Sequence, residues 1–346
     1  MSDMIVRNRS LILLFFLSLF GCVDPIDVKL DQDVTRQLVV EGWIDDVNDL
    51  VVVRLSTSTI NGVGENTLGG GARVTISTGS GEIFLLEEAI PGVYATLSES
   101  VRGVVGESYQ LNIESGDGRM YESTMETLPN PVSIGLTQEE LIETRGTTDD
   151  GTPFVSYFHD VFTALENTLD QHFVRFETTG WEKVLVDYEL VPAGPLDCWQ
   201  FQNPINRDVI LATNAGISGN TYETKVANVP IQFRTNYVVE VVANSMTSEA
   251  FAYWSEAKRQ LNRGGGIFDP PFAPVIGNIR NVNDPTEAVL GYFHAYSQDM
   301  TRYCYSRDGI PVQFEIPVFP IGVTTLCTEH YAPALFELPF DEGVCP

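Results

Sequence analysis

Residues 37–57 read QLVVEGWIDDVNDLVVVRLST, and this stretch decides the fold class. Val39, Glu41 and Trp43 occupy alternate positions, and residues 51–55 (VVVRL) form a short run rich in β-branched side chains. Alternation with period two and a β-branched composition are typical of strands. We therefore predict two successive strands here, at the start of a mainly β fold.

The same pattern continues to residue 113 and is interrupted by turn sequences. Strand patterns recur at 74–76, 83–86 and 109–113, and glycine-containing turns lie at 79–81 (GSG) and 115–118 (SGDG). Glycine adopts the positive φ angles that tight hairpins require. About seven short strands in about ninety residues are typical of an immunoglobulin-like or transthyretin-like β-sandwich. We assign this domain to residues 37–130.

The sequence LPNP at residues 128–131 marks the expected end of the sandwich. Proline disfavours helix before it and cannot donate to a strand ladder, so this stretch favours a stiff linker. Residues 131–346 are predicted to form a second β-rich domain. Its clearest strand patterns lie at 173–177, 237–242, 289–296 and 312–316, whereas residues 137–151 favour a short helix or a loop.

One amphipathic helix is predicted at residues 247–263 (TSEAFAYWSEAKRQLNR) in the second domain. Ala250, Trp254, Ala257 and Leu261 fall on one stripe, and three glycines at 264–266 follow the helix. Such a stripe favours packing of the helix against a sheet. We interpret the stripe as core rather than as a platform for a ligand.

Several motifs in the second domain resemble one known family. They are Tyr253-Trp254, residues 265–271 (GGIFDPP), 275–279 (VIGNI), Asn281-Val282, Asp284-Pro285 and 289–293 (VLGYF), with upstream support at 39–42 (VVEG), 91–94 (PGVY) and 106–109 (GESY). The chain resembles a Bacteroidota outer-membrane lipoprotein family known only as domain of unknown function 4249. The resemblance implies an outer-membrane lipoprotein, often encoded beside a TonB-dependent transporter with a carboxypeptidase-regulatory-like extension, and it supplies no catalytic or binding residues.

The residues that carry the resemblance form a hallmark loop. Its members are Gly266, Phe268, Asp269, Pro270, Pro271, Gly277, Asn278, Gly291 and Phe293. Proline rings restrict the backbone, glycine permits unusual angles, and asparagine amides bond nearby backbone groups. We expect a rigid, non-helical corner of the fold, with a binding surface as the alternative.

The N-terminus has the pattern of a bacterial lipoprotein signal peptide. Arg7 and Arg9 precede an apolar run that ends in LFGC at residues 19–22. This run is too short to span a bilayer. We expect residues 1–21 to be removed, Cys22 to carry lipid in the outer membrane, and residues 22–36 to form an extended tether.

The net charge argues against one class of partner, and the number of cysteines predicts disulfides. With 47 acidic and 20 basic residues the formal net charge is −27, which argues against nucleic-acid binding. Besides Cys22 there remain Cys198, Cys304, Cys327 and Cys345. An even number in an oxidising compartment predicts two disulfides. Three pairings are possible, and we favour Cys198 with Cys304 and Cys327 with Cys345.

No catalytic constellation is recognisable in the sequence. His159, His172, His294 and His330 are scattered, and no nucleophile elbow, zinc-protease motif or phosphate-binding glycine loop occurs. We interpret the acid pairs at 45–46, 87–88 and 149–150 as chance neighbours. We expect no catalytic residue, no cofactor and no bound metal. Calcium at the acidic stretches 31–33 or 45–49 is the alternative to a solvated turn.

These observations favour a non-catalytic outer-membrane lipoprotein. The leading hypothesis is an accessory subunit of a TonB-dependent transporter that captures or presents cargo of unknown kind. A free-standing surface binding module or adhesin is the alternative, and a hydrolase is the third hypothesis. The aromatic residues at which we would look for an exposed binding patch are Trp181, Trp199, Phe272 and Tyr292, although each is expected to be buried.

Overall fold

Strands dominate the part of the chain that the structure describes. The computed structural model describes residues 37–58, 70–98, 100–186, 196–202, 208–231, 233–262, 274–312, 318–319 and 325–327. Within these ranges the only helix is a single α-helix, as predicted for a mainly β chain. No helix in the described ranges has both the length and the apolar character needed to cross a membrane.

The N-terminal strands follow the predicted order. They are β1 (Leu38–Asp45), β2 (Val52–Thr57), β3 (Arg73–Thr78), β4 (Ile83–Ile90), β5 (Val93–Ala95), β6 (Ser108–Glu114), β7 (Met120–Ser123) and β8 (Glu126–Thr127). The turns at 79–81 and 115–118 are present, and Gly81 and Gly118 have φ angles of 94° and 84°.

The remaining elements contain the helix and the longest strands. They are β9 (Ile134–Thr147), β10 (Pro153–Glu166), β11 (Phe173–Val186), β12 (Leu196–Gln202), β13 (Ile210–Thr213), β14 (Thr221–Ile231), β15 (Tyr237–Met246), α1 (Ser248–Leu261), β16 (Ile279–Asn281), β17 (Leu290–Tyr305), β18 (Val318–Phe319) and β19 (Thr325–Cys327).

The N-terminal part is a β-sandwich because β4 belongs to both of its layers. The first half of β4 pairs with β3, and its second half pairs with β5. One layer has the order β16-β7-β6-β3-β4 and the other β4-β5-β2-β1-β17. Buried side chains from both layers form one core, which includes Val53, Leu55, Ile76, Leu111 and Phe293.

The second β-rich part has its own core. β11, β15 and β17 are neighbours in the large sheet, whereas β9, β10 and β14 form a separate three-stranded sheet. The buried residues Val174, Val229, Val241 and Tyr305 belong to this second core. The domain boundary at residue 131 stays a prediction.

The prediction of a helix or loop at 137–151 is wrong for most of that segment. Residues up to Thr147 continue β9, which pairs with β10 from Ile134 to Thr147. Every long strand needs hydrogen-bond partners for its backbone, and β10 supplies them here. The residues that follow form the turn between the two strands. Of the strand predicted at 312–316, residues 313–316 lie outside the described residues.

Strand β17 connects the two cores. Its residues 290–296 pair in parallel with β1, and residues 297–305 pair antiparallel with β15 on the other side. Phe293 and Ala295 lie in the sandwich core, whereas Tyr305 lies in the second core. A single strand therefore fixes the register of both parts.

Glycines permit a very close approach of three chain segments at the start of β17. A Cβ atom on Gly277 would lie 1.5 Å from the carbonyl oxygen of Gly291, and one on Gly291 would lie 1.9 Å from that of Val40. Gly291 also has a φ of 94°, which side chains rarely tolerate. No larger residue fits either position without moving the backbone.

The amide of Asn278 replaces a strand partner at the same corner. Its Nδ2 donates to the carbonyl of Phe293 and its Oδ1 accepts from the N–H of Phe293, both at 2.9 Å. Both backbone groups of Phe293 are therefore satisfied on the edge that β1 does not cover. This geometry favours the interpretation of these hallmark residues as a corner of the fold.

A buried ion pair lies in the second part of the fold. The Nη1 atom of Arg307 donates to Oε1 of Glu182 at 2.5 Å, and the guanidinium carbon lies 4.6 Å from the ring centre of Tyr237. Arg307 is 1% exposed. Removal of either charge would leave the other unpaired in the interior, which is costly.

The backbone register gives the strand positions of three cysteines but does not show which of them are bridged. Cys198 of β12 lies opposite Cys327 of β19, and Cys304 lies opposite Val238. Cys345 lies outside the described residues. Both the two bridges and their pairing stay predictions.

Substitution of Gly277 by alanine should test the crowded corner. We expect G277A to lower the free energy of unfolding by about 3 kcal/mol, because the new methyl group overlaps the backbone of β17. Urea denaturation followed by circular dichroism measures this loss.

Gly116 provides the matched control. A Cβ atom on Gly116 meets its nearest atom at 3.7 Å, so G116A should change the stability by no more than about 0.5 kcal/mol. Equal effects of the two substitutions would contradict the steric explanation.

Candidate functional site

A cavity of about 500 Å³ lies beside the outer face of the β1–β17 pair. Its walls come from β1, β2, β11, β15, α1 and β17, together with residues 274–275. The lining residues include Glu41, Trp43, Arg54, Arg175, Glu177, Asn244, Tyr253, Trp254, Tyr292, His294 and Tyr296. This volume is in the range of small-molecule sites.

Strand alternation separates the cavity from the sandwich core. In β17, Tyr292 and His294 line the cavity, whereas Phe293 and Ala295 are buried in the core. Successive side chains of a strand point to opposite faces, so each strand contributes side chains to both the cavity and the core. The parallel register places Glu41 beside Tyr292 and Trp43 beside His294.

Aromatic rings form a continuous layer on the cavity wall. The ring centres of Tyr292 and His294 are 4.5 Å apart, and those of His294 and Trp254 are 5.6 Å apart. Tyr253 lies 4.9 Å from Tyr292. Such a surface suits the flat, apolar face of a ligand.

Arginine side chains flank this layer. The guanidinium carbon of Arg175 lies 4.1 Å from the ring centre of Trp254, and Arg175 also donates to Glu177. Burial lowers the pKa of Arg175, which remains a cation at neutral pH. Arg54 lies 5.7 Å from the ring centre of Trp43 at the other side of the cavity.

Several buried polar atoms of the lining residues have no hydrogen-bond partner among the described residues. They are Nδ1 of His294, Nε1 of Trp254 and Nδ2 of Asn244. Burial lowers the pKa of His294 to about 3, and the positive charge of Arg175 adds to this effect. The imidazole is therefore neutral at physiological pH. Buried polar groups are usually hydrogen-bonded, so each exception calls for an explanation.

A buried carboxylate holds the elements around the cavity together. Oε1 of Glu126 accepts from the hydroxyl of Tyr292 at 2.7 Å and from Nδ2 of Asn278 at 3.1 Å. Its Oε2 accepts from the hydroxyl of Thr247 at 2.9 Å, and Thr247 in turn caps α1 by accepting from the N–H of Ala250. Desolvation raises the pKa of Glu126, and these hydrogen bonds oppose that rise.

The structure brings some of the predicted site residues together and leaves others undescribed. Gly277, Asn278, Gly291 and Phe293 meet at the start of β17. The hallmark residues from Gly266 to Pro271 lie outside the described residues, as do Cys22 and Phe272. Trp181, Trp199 and Tyr292 are buried at 9%, 4% and 5% exposure.

The predicted helix stripe is only partly a packing surface. Helix α1 begins after its cap Thr247, and Ala250 is buried. Trp254 borders the cavity, whereas Leu261 is 67% exposed. The interpretation of the stripe as core is therefore wrong for Leu261, whereas Trp254 also packs against the buried cluster of Met246, Ala250 and Tyr292.

The acidic stretch at 45–49 engages nearby protein groups, whereas residues 31–33 lie outside the described residues. Oδ1 of Asp45 accepts from the N–H groups of Val47 and Asn48, and Asp49 pairs with Arg102. Glu88 accepts from two backbone N–H groups. In the described ranges no three His, Cys, Asp or Glu side chains are arranged to hold a metal ion.

Sequence reasoning missed the principal cavity residues. Arg175 lies in a strand predicted at 173–177, His294 was assigned no role, and Trp254 was assigned to the core. A signal existed in the sequence YFHAY at residues 292–296, where both faces of a strand carry apolar or aromatic side chains. Such a strand is covered on both faces, and its polar His294 is then the exception.

Comparison with known proteins gives a family without an assigned activity. Residues 23–302 match the family described as domain of unknown function (DUF4249), and the chain belongs to this family. No curated protein matches the chain. The match names no catalytic activity.

The neutral state of His294 predicts a pH dependence of stability. The unfolded chain takes up a proton near pH 6.5 but the native His294 only near pH 3, so stability should fall as the pH drops below about 6.5. The contribution is up to about 1.4 kcal/mol per pH unit. Urea denaturation between pH 7 and pH 5 should show a shallower slope for H294F.

His172 serves as the control for this measurement. Burial also lowers its pKa, but it lies away from the cavity, beside Tyr222. H172Q should leave most of the slope in place. An unchanged slope in H294F would show that the imidazole is protonated equally in the folded and unfolded chain.

Removal of the Glu126 carboxylate should loosen the cavity wall. We expect E126A to lower the free energy of unfolding by about 3 kcal/mol, because the hydroxyl of Tyr292 loses its acceptor in the interior and the amide of Asn278 loses one of its two. Thermal and urea denaturation measure this loss.

Glu122 on β7 provides a matched control with an exposed partner. It pairs with Arg280, whose side chain is 70% exposed, so E122A should cost no more than about 1 kcal/mol. Similar losses in the two variants would contradict the central role of Glu126.

Proposed function

We propose that this protein is a non-catalytic, lipid-anchored outer-membrane protein that binds a small ligand in the aromatic cavity and presents it to a TonB-dependent transporter. Cys22, with the apolar run before it, supports the lipid anchor. Family membership supports the partnership, since the resemblance implies genes beside such transporters.

One observation carries the binding role: the described residues surround a cavity of about 500 Å³. Stacked rings, two arginines and polar atoms without partners among the described residues line this space. Ligand sites are typically concave and mostly apolar, with a few placed polar groups. A bound ligand would bury the rings and satisfy the polar atoms.

The same geometry favours binding over catalysis. His294 stacks on Tyr292 and Trp254, and no nucleophile among the described residues is hydrogen-bonded to its ring. Glu177 contacts Arg175, and Glu41 lies opposite Arg54 in the β1–β2 ladder. A hydrolase requires an activated nucleophile or two carboxyl groups directed at one bond.

A free-standing surface binding module is the second candidate. Ile83 and Leu85 lie on one face of β4 and are 66% and 51% exposed. Exposed apolar side chains of this kind support contact with another macromolecule. In that case the protein would act without a transporter.

Affinity purification should distinguish these candidates. We expect a tagged full-length protein, extracted from outer membranes with detergent, to retain a TonB-dependent transporter in stoichiometric amount, as identified by mass spectrometry. Recovery of the lipoprotein alone would contradict the accessory role and favour the free-standing module.

The anchor is tested in the same preparation. C22S should release the protein from the membrane fraction, because the thiol that carries the lipid is lost. As a control, C304S keeps Cys22 and should remain in the membrane fraction.

A further inference from the structure

The cavity has a surplus of hydrogen-bond donors around Arg175. A guanidinium carries five N–H groups. Among the described residues the only hydrogen bond from Arg175 goes to Glu177, whose side chain is 50% exposed. The Trp254 ring holds the guanidinium in position by stacking against it. Most of the Arg175 donors therefore remain available.

Neighbouring groups add to this surplus. Trp254 Nε1 and Asn244 Nδ2 are both donors, and neither has an acceptor among the described residues. The side-chain carbonyl of Asn244 accepts from Gln298 at 2.9 Å. N–H groups without acceptors favour a ligand that carries hydrogen-bond acceptors.

The Arg175 donors bear on the class of ligand. A planar guanidinium fork matches a carboxylate, and Arg175 uses one donor on Glu177. The formal net charge of −27 disfavours multiply charged anions such as phosphates.

The opposite part of the cavity selects the body of the ligand. The rings of Tyr253, Tyr292 and His294 form an aromatic wall, and the imidazole is neutral. A ligand ring packs edge-to-face or offset against such a wall. The ligand therefore combines one carboxylate with a planar apolar ring.

We propose that the cavity binds a small aromatic carboxylate, with its carboxylate on Arg175 and its ring against Tyr292 and His294. This inference rests on the proposed binding function and specifies the class of ligand. Phenylacetate is a small probe with both features, and phenylacetamide has the same shape without the charge.

Isothermal titration calorimetry of the full-length protein in a polyoxyethylene detergent tests this assignment. We expect phenylacetate to bind at least about 10-fold more tightly than phenylacetamide, because charge-assisted hydrogen bonds are about twice as strong as neutral ones. R175Q should abolish this preference. The matched control R280Q, at an exposed arginine paired with Glu122, should retain it.

Two results would overturn the assignment. Equal affinities for acid and amide would show that Arg175 does not select a carboxylate, and this comparison needs no variant. Binding of maltose without binding of phenylacetate would identify a neutral sugar site instead. Both results leave the binding function intact, whereas co-purification with a transporter tests the accessory role separately.

Discussion

The close approach of three backbones at the start of β17 is the constraint on which the rest of the structure depends. Gly277 lies against Gly291, and Gly291 lies against Val40. Only residues without a Cβ atom allow β1, β17 and the 276–278 segment to come this near. The same contact fixes the register of β1 against β17, and with it the side chains that face the core and those that face the cavity.

The β1–β17 pair has two different environments on its two faces. Val40, Ile44 and Phe293 fill the sandwich core, whereas Trp43 and His294 border the cavity. A buried polar group lies beside this strand pair. Glu126 accepts hydrogen bonds from Tyr292 and from Thr247, the cap of α1. Satisfied hydrogen bonds therefore hold the elements around the cavity together. The cavity wall itself contains polar atoms without partners among the described residues.

Much of the architecture was predictable, since each strand and turn carries its own local pattern. The alternation at Val39, Glu41 and Trp43 predicted β1, and the glycine turns predicted the hairpins of the sandwich. The prediction of a helix or loop at residues 137–151 was wrong for most of the segment. The polar composition suits a loop, but pairing with β10 makes most of these residues a strand. The prediction that Leu261 is part of the core was wrong for another reason, because the periodicity of a helix does not reveal how far its packed face extends.

The sequence by itself determined the mainly β fold class, the order of the strands, the position of α1 and membership of the DUF4249 family. These properties depend on residues that are near one another in the chain. The cavity was decided only by the tertiary structure, because Trp43, Arg175, Trp254 and His294 come from four different elements. The local pattern around each of these residues does not reveal its neighbours in the fold, and only the assembled sheet brings them around one cavity.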